Sequence, residues 1–63
     1  MKIIKIAKGN YRTEKPNTRG EFYAVIKFYD AWQVVKQQEN FDDEFLMTAD
    51  TKKEALEILK INY

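Results

Sequence analysis

The sequence predicts an α+β domain in which an antiparallel sheet of three to four strands is covered on one face by a single C-terminal helix. Two observations lead to this prediction. Several stretches alternate with a period of two and are rich in β-branched and aromatic residues, which is typical of strands. The stretch TADTKKEALEILK instead has the spacing of an amphipathic helix. A helix with one apolar stripe has to pack on another element, and an antiparallel sheet offers a suitable face.

The first predicted unit is a long hairpin over residues 2–29. Its arms are KIIKIAK and GEFYAVIKFY, and the connection GNYRTEKPNTRGE contains the turn-forming PNTRG. Gly9 suits a bulge. In the second arm, Phe22, Ala24, Ile26 and Phe28 share one face and are expected to form the core face, which leaves Tyr23, Val25, Lys27 and Tyr29 on the other.

Residues 30–40, DAWQVVKQQEN, fit two structures. A helix would begin at Asp30, with Gln33 completing a capping box. A strand would place Trp32 and Val34 on one face, and it is favoured because Trp and paired Val suit a pleated sheet. The absence of glycine at Asp30 and Ala31 argues against a tight two-residue turn before this segment.

The remaining elements are a short strand over residues 44–48 and a helix over residues 51–61. Thr51 is expected to be the N-cap, with Glu54 three residues later as in a capping box. Leu56 and Leu59 belong to the apolar stripe. The whole chain, residues 1–63, is expected to be a single domain, since a chain of this length has room for one small core.

Composition excludes several kinds of chemistry. The chain has neither Cys nor His, so disulfides, the usual zinc and iron ligands, thiolate nucleophiles and imidazole bases are all ruled out. The acidic cluster of Asp42, Asp43 and Glu44 lacks the alternate spacing and the glycine of an EF-hand. We therefore expect no metal, no cofactor, no catalytic residue and no enzymatic activity.

Charge is distributed unevenly along the chain. Residues 1–29 hold seven basic and two acidic residues, a net charge of +5, whereas residues 30–63 hold four basic and eight acidic residues, a net charge of −4. A basic first half favours a polyanionic partner. The start, MKIIKIAKGN, is too short and too charged for a signal peptide or a membrane span, so we expect no membrane partner and a cytoplasmic location.

Two groups of residues are candidates for binding. Tyr23, Lys27 and Tyr29, with Lys5 on the neighbouring strand, place aromatic rings among cations on a sheet, which suits stacking on bases and contact with phosphates. The alternative is that the tyrosines only cover the sheet as cross-strand pairs. Arg12, Lys15 and Arg19 supply cations near the tip of the first hairpin. Trp32 fits either the core or an interface.

A basic hairpin, the strand FYAVIKFYD, a later short strand and then ADTKKEALEIL resemble the arm-type DNA-binding domain at the N-terminus of phage and transposon tyrosine recombinases. That family has a three-stranded antiparallel sheet with a C-terminal helix and lays the sheet in the major groove. TKKEA after a strand is the most similar stretch. The acidic residues around Asp42 and the absence of recombinase core domains depart from the family. The resemblance implies DNA contacts from Lys5, Arg12, Lys15, Arg19, Tyr23, Lys27 and Lys36.

Three functions remain open from the sequence. The first is a nucleic-acid-binding module of a phage or mobile element, which would bind duplex DNA through the basic hairpin and the open sheet face. The second is a small interaction protein or inhibitor that binds a host protein. The third is a homodimeric structural protein, since neither disulfide nor metal supports so small a fold.

Overall fold

The computed structural model describes residues 2–63, and within them five strands and one helix form a two-layer structure. The elements are β1 (Ile3–Ala7), β2 (Asn10–Thr13), β3 (Phe22–Phe28), β4 (Ala31–Gln37), β5 (Glu44–Ala49) and α1 (Lys52–Asn62). All neighbouring strands are antiparallel, and their order in the sheet is their order in the chain. The predicted α+β class is confirmed, whereas the predicted count of three to four strands was too low.

The additional strand is β2, whose residues the sequence pattern places in the long connection of the first hairpin. Gly9 has a φ of +73°, and a side chain there would bring its Cβ within 3.2 Å of the Lys27 Cβ. This residue therefore reverses the chain directly after β1, and NYRT returns as a strand between β1 and β3. The expected single hairpin over residues 2–29 is in fact two consecutive hairpins, and the bulge lies between Lys5 and Ala7 rather than at Gly9.

The ambiguous segment is a strand, β4, which pairs with β3 over seven positions. The two strands are joined by a turn of only Tyr29 and Asp30, so the absence of glycine, which argued against a tight two-residue turn, was misleading here. Tyr29 has a φ of 60°, a conformation that L-residues adopt at a steric cost. The seven cross-strand pairs and the contact of its ring with Phe28, with centroids 4.5 Å apart, offset that cost.

Helix α1 begins after Thr51, whose side-chain oxygen accepts a hydrogen bond of 3.1 Å from the backbone N–H of Glu54. Thr51 is the N-cap, as predicted, and its backbone is extended, so the helix starts at Lys52. At the other end, the backbone N–H of Tyr63 donates to the carbonyl of Leu59. Within residues 2–63, no helix has the length and apolar character needed to span a membrane.

The core lies on the opposite face of β3 from the one the sequence pattern suggested. Its buried members are Val25, Val34, Ala49, Ala55 and Leu59. Ala49 ends β5 opposite Trp32, and α1 starts three residues later. So short a connection leads the helix back across the face that carries Ala49, and this is also the face of Val25 and Val34. The residues expected to form the core face consequently face away from the helix; they are Phe22, Ala24, Ile26 and Phe28.

Candidate binding surfaces

The face of the sheet opposite α1, called here the open face, is mainly apolar and aromatic. One row of residues crosses all five strands, and the next row runs parallel to it. The first consists of Ile4, Arg12, Ala24, Val35 and Phe45, and the second of Ala7, Asn10, Ile26, Gln33 and Thr48. Phe22 pairs with Gln37, and Phe28 with Ala31, on the same face. The strands thus present apolar side chains interspersed with amides and one cation.

Two large apolar side chains of the open face are exposed, Phe28 at 52% and Phe45 at 55%, while Ala24 and Val35 at its centre are buried. Scattered exposed apolar residues are ordinary in soluble proteins, but a continuous apolar patch usually marks a contact surface. On the open face, the half-buried side chains of Ile4, Phe22 and Ile26 add partly accessible apolar surface to the two exposed phenylalanines. The open face is therefore a candidate contact surface.

Arg12 is the charged residue of this face within the strand register. Its guanidinium carbon lies 4.2 Å from the centroid of the Phe22 ring, a cation–π contact. The Arg12 Nε and the Asn10 Oδ1 are both buried and have no hydrogen-bond partner within residues 2–63. A donor and an acceptor therefore remain unsatisfied two residues apart on β2, which is costly for an isolated domain.

The eight residues predicted to bind nucleic acid do not form one surface. Arg12 lies on the open face, whereas four others lie on the face that α1 covers. There Lys5 pairs with Tyr11, Lys27 with Trp32, and Tyr23 with Lys36. The expectation that Tyr23 and Lys27 belong to the open face was wrong. Tyr23 instead stacks on Tyr63, the residue after α1, with ring centroids 4.8 Å apart.

Lys36 is held in a small ion-pair network. Its Nζ lies 3.4 Å from a carboxylate oxygen of Glu21 and 3.6 Å from one of Glu44. Burial lowers the pKa of Lys36, but the two carboxylates outweigh that effect and the net shift is upward. Because its charge is already balanced, Lys36 is poorly suited to contact a phosphate.

Lys15 and Arg19 lie in the connection between β2 and β3, which Asn17 holds in a compact turn. The Asn17 Oδ1 accepts hydrogen bonds from the backbone N–H groups of Arg19 and Glu21, at 2.8 and 3.0 Å. Its Nδ2 donates to the Glu21 carboxylate. The two cations are exposed on this ordered turn, and Tyr29, 83% exposed, lies in the β3–β4 turn.

A second cationic region, called here the lysine flank, consists of Lys5, Lys27 and Lys52 beside Tyr11 and Trp32. The Lys52 Nζ lies 4.8 Å from the Tyr11 ring centroid and 3.4 Å from its hydroxyl oxygen. The Tyr11 and Trp32 rings are 6.2 Å apart. Lys5 pairs with Tyr11, and Lys27 pairs with Trp32. Among residues 2–63, none of the three lysines forms a salt bridge.

A cleft of about 390 Å³ lies between the β2–β3 connection and the end of α1. Two carboxylates line the cleft, and each forms a salt bridge. Glu14 pairs with Lys2 at 3.4 Å, and Glu21 pairs with Lys36. In the described part of the chain, no group of three or more acidic side chains is arranged to hold a metal ion. Both acidic side chains of the cleft are thus already paired with lysines, and they offer no free carboxylate pair for a cation.

The open-face residues Phe22, Phe28 and Phe45 were missed as binding candidates because large aromatic side chains were assigned to the core. A signal for the correct face was present in β4. There Gln33 and Gln37 alternate with Trp32 and Val34, so the glutamines mark the uncovered side. Ile26 pairs with Gln33, and Phe22 pairs with Gln37, so these two residues of β3 lie on the same uncovered side as the glutamines.

Comparison of the chain with protein-family models, with curated proteins and with solved structures gave no match.

Proposed function

We propose that this protein is a small, non-enzymatic binding module that binds a protein partner on the open face of its sheet. The observation that carries the proposal is the composition of that face: accessible phenylalanines, amides and a single arginine, with no acidic residue in its strand register. The central part of protein interfaces has this character, rich in aromatic residues and arginine and poor in other charges.

The apolar area that a partner would remove from water also favours a protein partner. Phe28 and Phe45 each keep about half of their surface in contact with water. Covering an aromatic side chain removes a large apolar area from water, which stabilises a complex at roughly 25 cal/mol per Å². A nucleic acid would gain less here, because its phosphates need several cations and the strands of the open face supply only Arg12.

The proposal is tested by retention of a partner on immobilised protein. Wild-type protein and Ile61→Gln are expected to retain the same protein in stoichiometric amount, because Ile61 is exposed on α1 away from the open face. Phe45→Gln is expected to lose it while keeping the wild-type circular dichroism spectrum. Equal retention by Phe45→Gln would show that the open face is not the binding surface.

The lysine flank supports a second candidate function, binding of duplex DNA. Lys5 and Lys27 were predicted to contact DNA, and Lys52 adds a third cation over the half-buried ring of Tyr11. Three unpaired lysines could neutralise about three phosphates, so the affinity should fall with salt with a log–log slope of about −2.7. Lys15 and Arg19 would extend this surface only if the duplex also reached the β2–β3 connection.

This candidate is tested by gel mobility shift of a short duplex at low salt. The double variant Lys5→Ala/Lys27→Ala is expected to weaken the shift at least tenfold. Lys60→Ala, in the last turn of α1, removes a lysine outside the lysine flank and serves as the control, with a much smaller effect expected. Absence of any shift by the wild-type protein at low salt would exclude duplex binding by this flank.

A further inference from the structure

We infer that the partner covering the open face is a second copy of this chain, bound face to face in a symmetric dimer. This inference rests on the proposed function and names its partner. Most homo-oligomers are two-fold symmetric, and a two-fold interface uses the same patch on both copies. The patch must therefore be compatible with itself in shape and in charge.

The position of Arg12 satisfies this requirement for one orientation. The strands lie in the order β1 to β5, so β3 is the central strand. A two-fold axis that runs along β3 between the two sheets places β2 over β4 of the second copy and β1 over β5. Arg12 then faces the β4 strand of the second copy, where Gln33 and Gln37 flank Val35 on the open face. Amide oxygens of glutamine accept hydrogen bonds from a guanidinium.

The same axis matches apolar side chains at the edges of the sheet. Ile4 on β1 and Phe45 on β5 belong to one cross-strand row with Ala24 at its centre. The axis brings Phe45 of one copy against Ile4 of the other, twice in the dimer. The two arginines, which would repel each other if they met, are kept apart by the width of the central strand.

The unsatisfied atoms of β2 also fit a paired arrangement. The Arg12 Nε is a donor and the Asn10 Oδ1 an acceptor, and both lack a partner within the described residues. Contact with the amides of the opposite β4 requires Arg12 to move off the Phe22 ring. That movement exposes the donor, so that the group is no longer both buried and unsatisfied.

The area of the open face indicates how tightly two copies should bind. With strands about 4.8 Å apart and a rise of about 3.3 Å per residue, five strands of this length present on the order of 450 Å² per copy. Two copies bury about 900 Å², which is below the roughly 1,200–2,000 Å² of stable interfaces and in the range of weak, transient ones. Packed sheets lie about 10 Å apart, so the phenylalanines are long enough to fill the space. We therefore expect a reversible dimer with a dissociation constant in the micromolar range.

The thin core gives the dimer a role in stability. The largest fully buried side chains are Leu59, Val25 and Val34, all between the sheet and α1. A second copy would add a second apolar layer on the other side of the sheet. Association that occurs only in the folded state raises the melting temperature with protein concentration.

The inference is tested by sedimentation equilibrium on the wild-type chain between about 5 and 500 µM, a range that spans micromolar dissociation constants. The average mass is expected to rise from 7.5 kDa toward twice that value. Phe45→Glu is expected to remain a folded monomer, because each copy would bury a carboxylate against the apolar Ile4 side chain of the other. Ile61→Glu, which adds the same charge on α1, is expected to behave as wild type.

The orientation is tested by mixing Phe45→Glu with Ile4→Lys. Each variant alone is expected to be monomeric, and the mixture is expected to form a heterodimer that contains one native Phe45–Ile4 contact and one new ion pair. Failure of this mixture to associate would overturn the proposed axis.

A wild-type chain that stays monomeric to 500 µM, or a Phe45→Glu variant that still dimerises, would overturn the inference. The proposed function fails separately, when the retention experiment finds a partner that Phe45→Gln retains. A monomeric chain whose open face retains a different protein would therefore refute the dimer alone.

Discussion

Tyr63 stacks on Tyr23 with ring centroids 4.8 Å apart and ring planes inclined by 29°. Tyr23 lies on β3, and Tyr63 directly follows α1, so the contact fastens the end of the helix to the sheet. The sequence pattern placed Tyr23 on an accessible surface, but it is half-buried against the core and against Tyr63.

Replacement of Tyr63 should therefore loosen the end of α1. We expect Tyr63→Ala to lower the free energy of unfolding by about 1–2 kcal/mol, since the stacked pair adds roughly 0.5–1.5 kcal/mol to the area that it buries. Urea denaturation at a fixed protein concentration measures this difference. Hydrogen exchange should speed up first in the last turn of α1. A variant with unchanged stability would show that the stacking is incidental.

Leu59 is the helix residue on which the core depends, because it is fully buried against the sheet. Leu59→Ala is expected to cost about 2–5 kcal/mol, the sum of lost burial and the cavity left behind. In a domain of this size that loss leaves little or no stable folded protein. Ile61→Ala, two residues away and 80% exposed, is the control and should change stability by less than about 0.5 kcal/mol. Similar losses for the two variants would contradict the assignment of the core face.

The turn between β3 and β4 stores strain at Tyr29, whose φ is 60°. We expect Tyr29→Gly to be more stable than Tyr29→Ala by about 1 kcal/mol, because both lose the ring and only glycine adopts this conformation without steric cost. The comparison removes the contribution of the Phe28 contact. Thermal denaturation of the two variants measures the difference. Equal stability would indicate that the turn relaxes when the ring is absent.

The Asn17–Glu21 turn should be visible in an acid titration. The hydrogen bond from Asn17 lowers the pKa of Glu21, and Lys36 adds to this against the opposing effect of burial. A lowered pKa in the folded state means that this stabilisation is fully present above the ordinary glutamate value of about 4.3 and is lost as the pH falls through the lowered value.

Removal of the Asn17 side chain tests this directly. In Asn17→Ala, the pKa of Glu21 is expected to rise toward its ordinary value, and acid unfolding should begin at higher pH. NMR titration of the Glu21 carboxyl carbon measures the shift. Asn40→Ala, in the exposed β4–β5 connection, is the control. An unchanged Glu21 titration in Asn17→Ala would assign the shift to Lys36 alone.

Several parts of the fold were predictable because their signals are local. The cap at Thr51 depends on residues three apart, and the β-branched and aromatic alternation of FYAVIKF needs no distant contact to be recognised. β2 was not predictable in this way. Four residues of mixed character become a strand only because Gly9 returns them between two other strands, and pairing on both sides overrides weak local preference.

The binding surface was less predictable than the fold. Arg12 was identified as a candidate and lies on the open face. Tyr23 and Lys27 were assigned to the same face, but they lie on the face that α1 covers. Both faces of β3 are apolar, so alternation alone distinguishes two sets of residues without showing which set is inside. The glutamines of β4 could have resolved this, had its pairing with β3 been known.

By itself, the sequence determined that the chain is an α+β domain with an antiparallel sheet and a capped C-terminal helix, without cysteine or histidine chemistry. These properties follow from periodicity and composition, which act over a few residues. Only the tertiary structure decided which face of the sheet the helix covers. That choice depends on the short connection from Ala49 to α1 and on the register of β3 and β4, and both are relations between residues far apart in the chain.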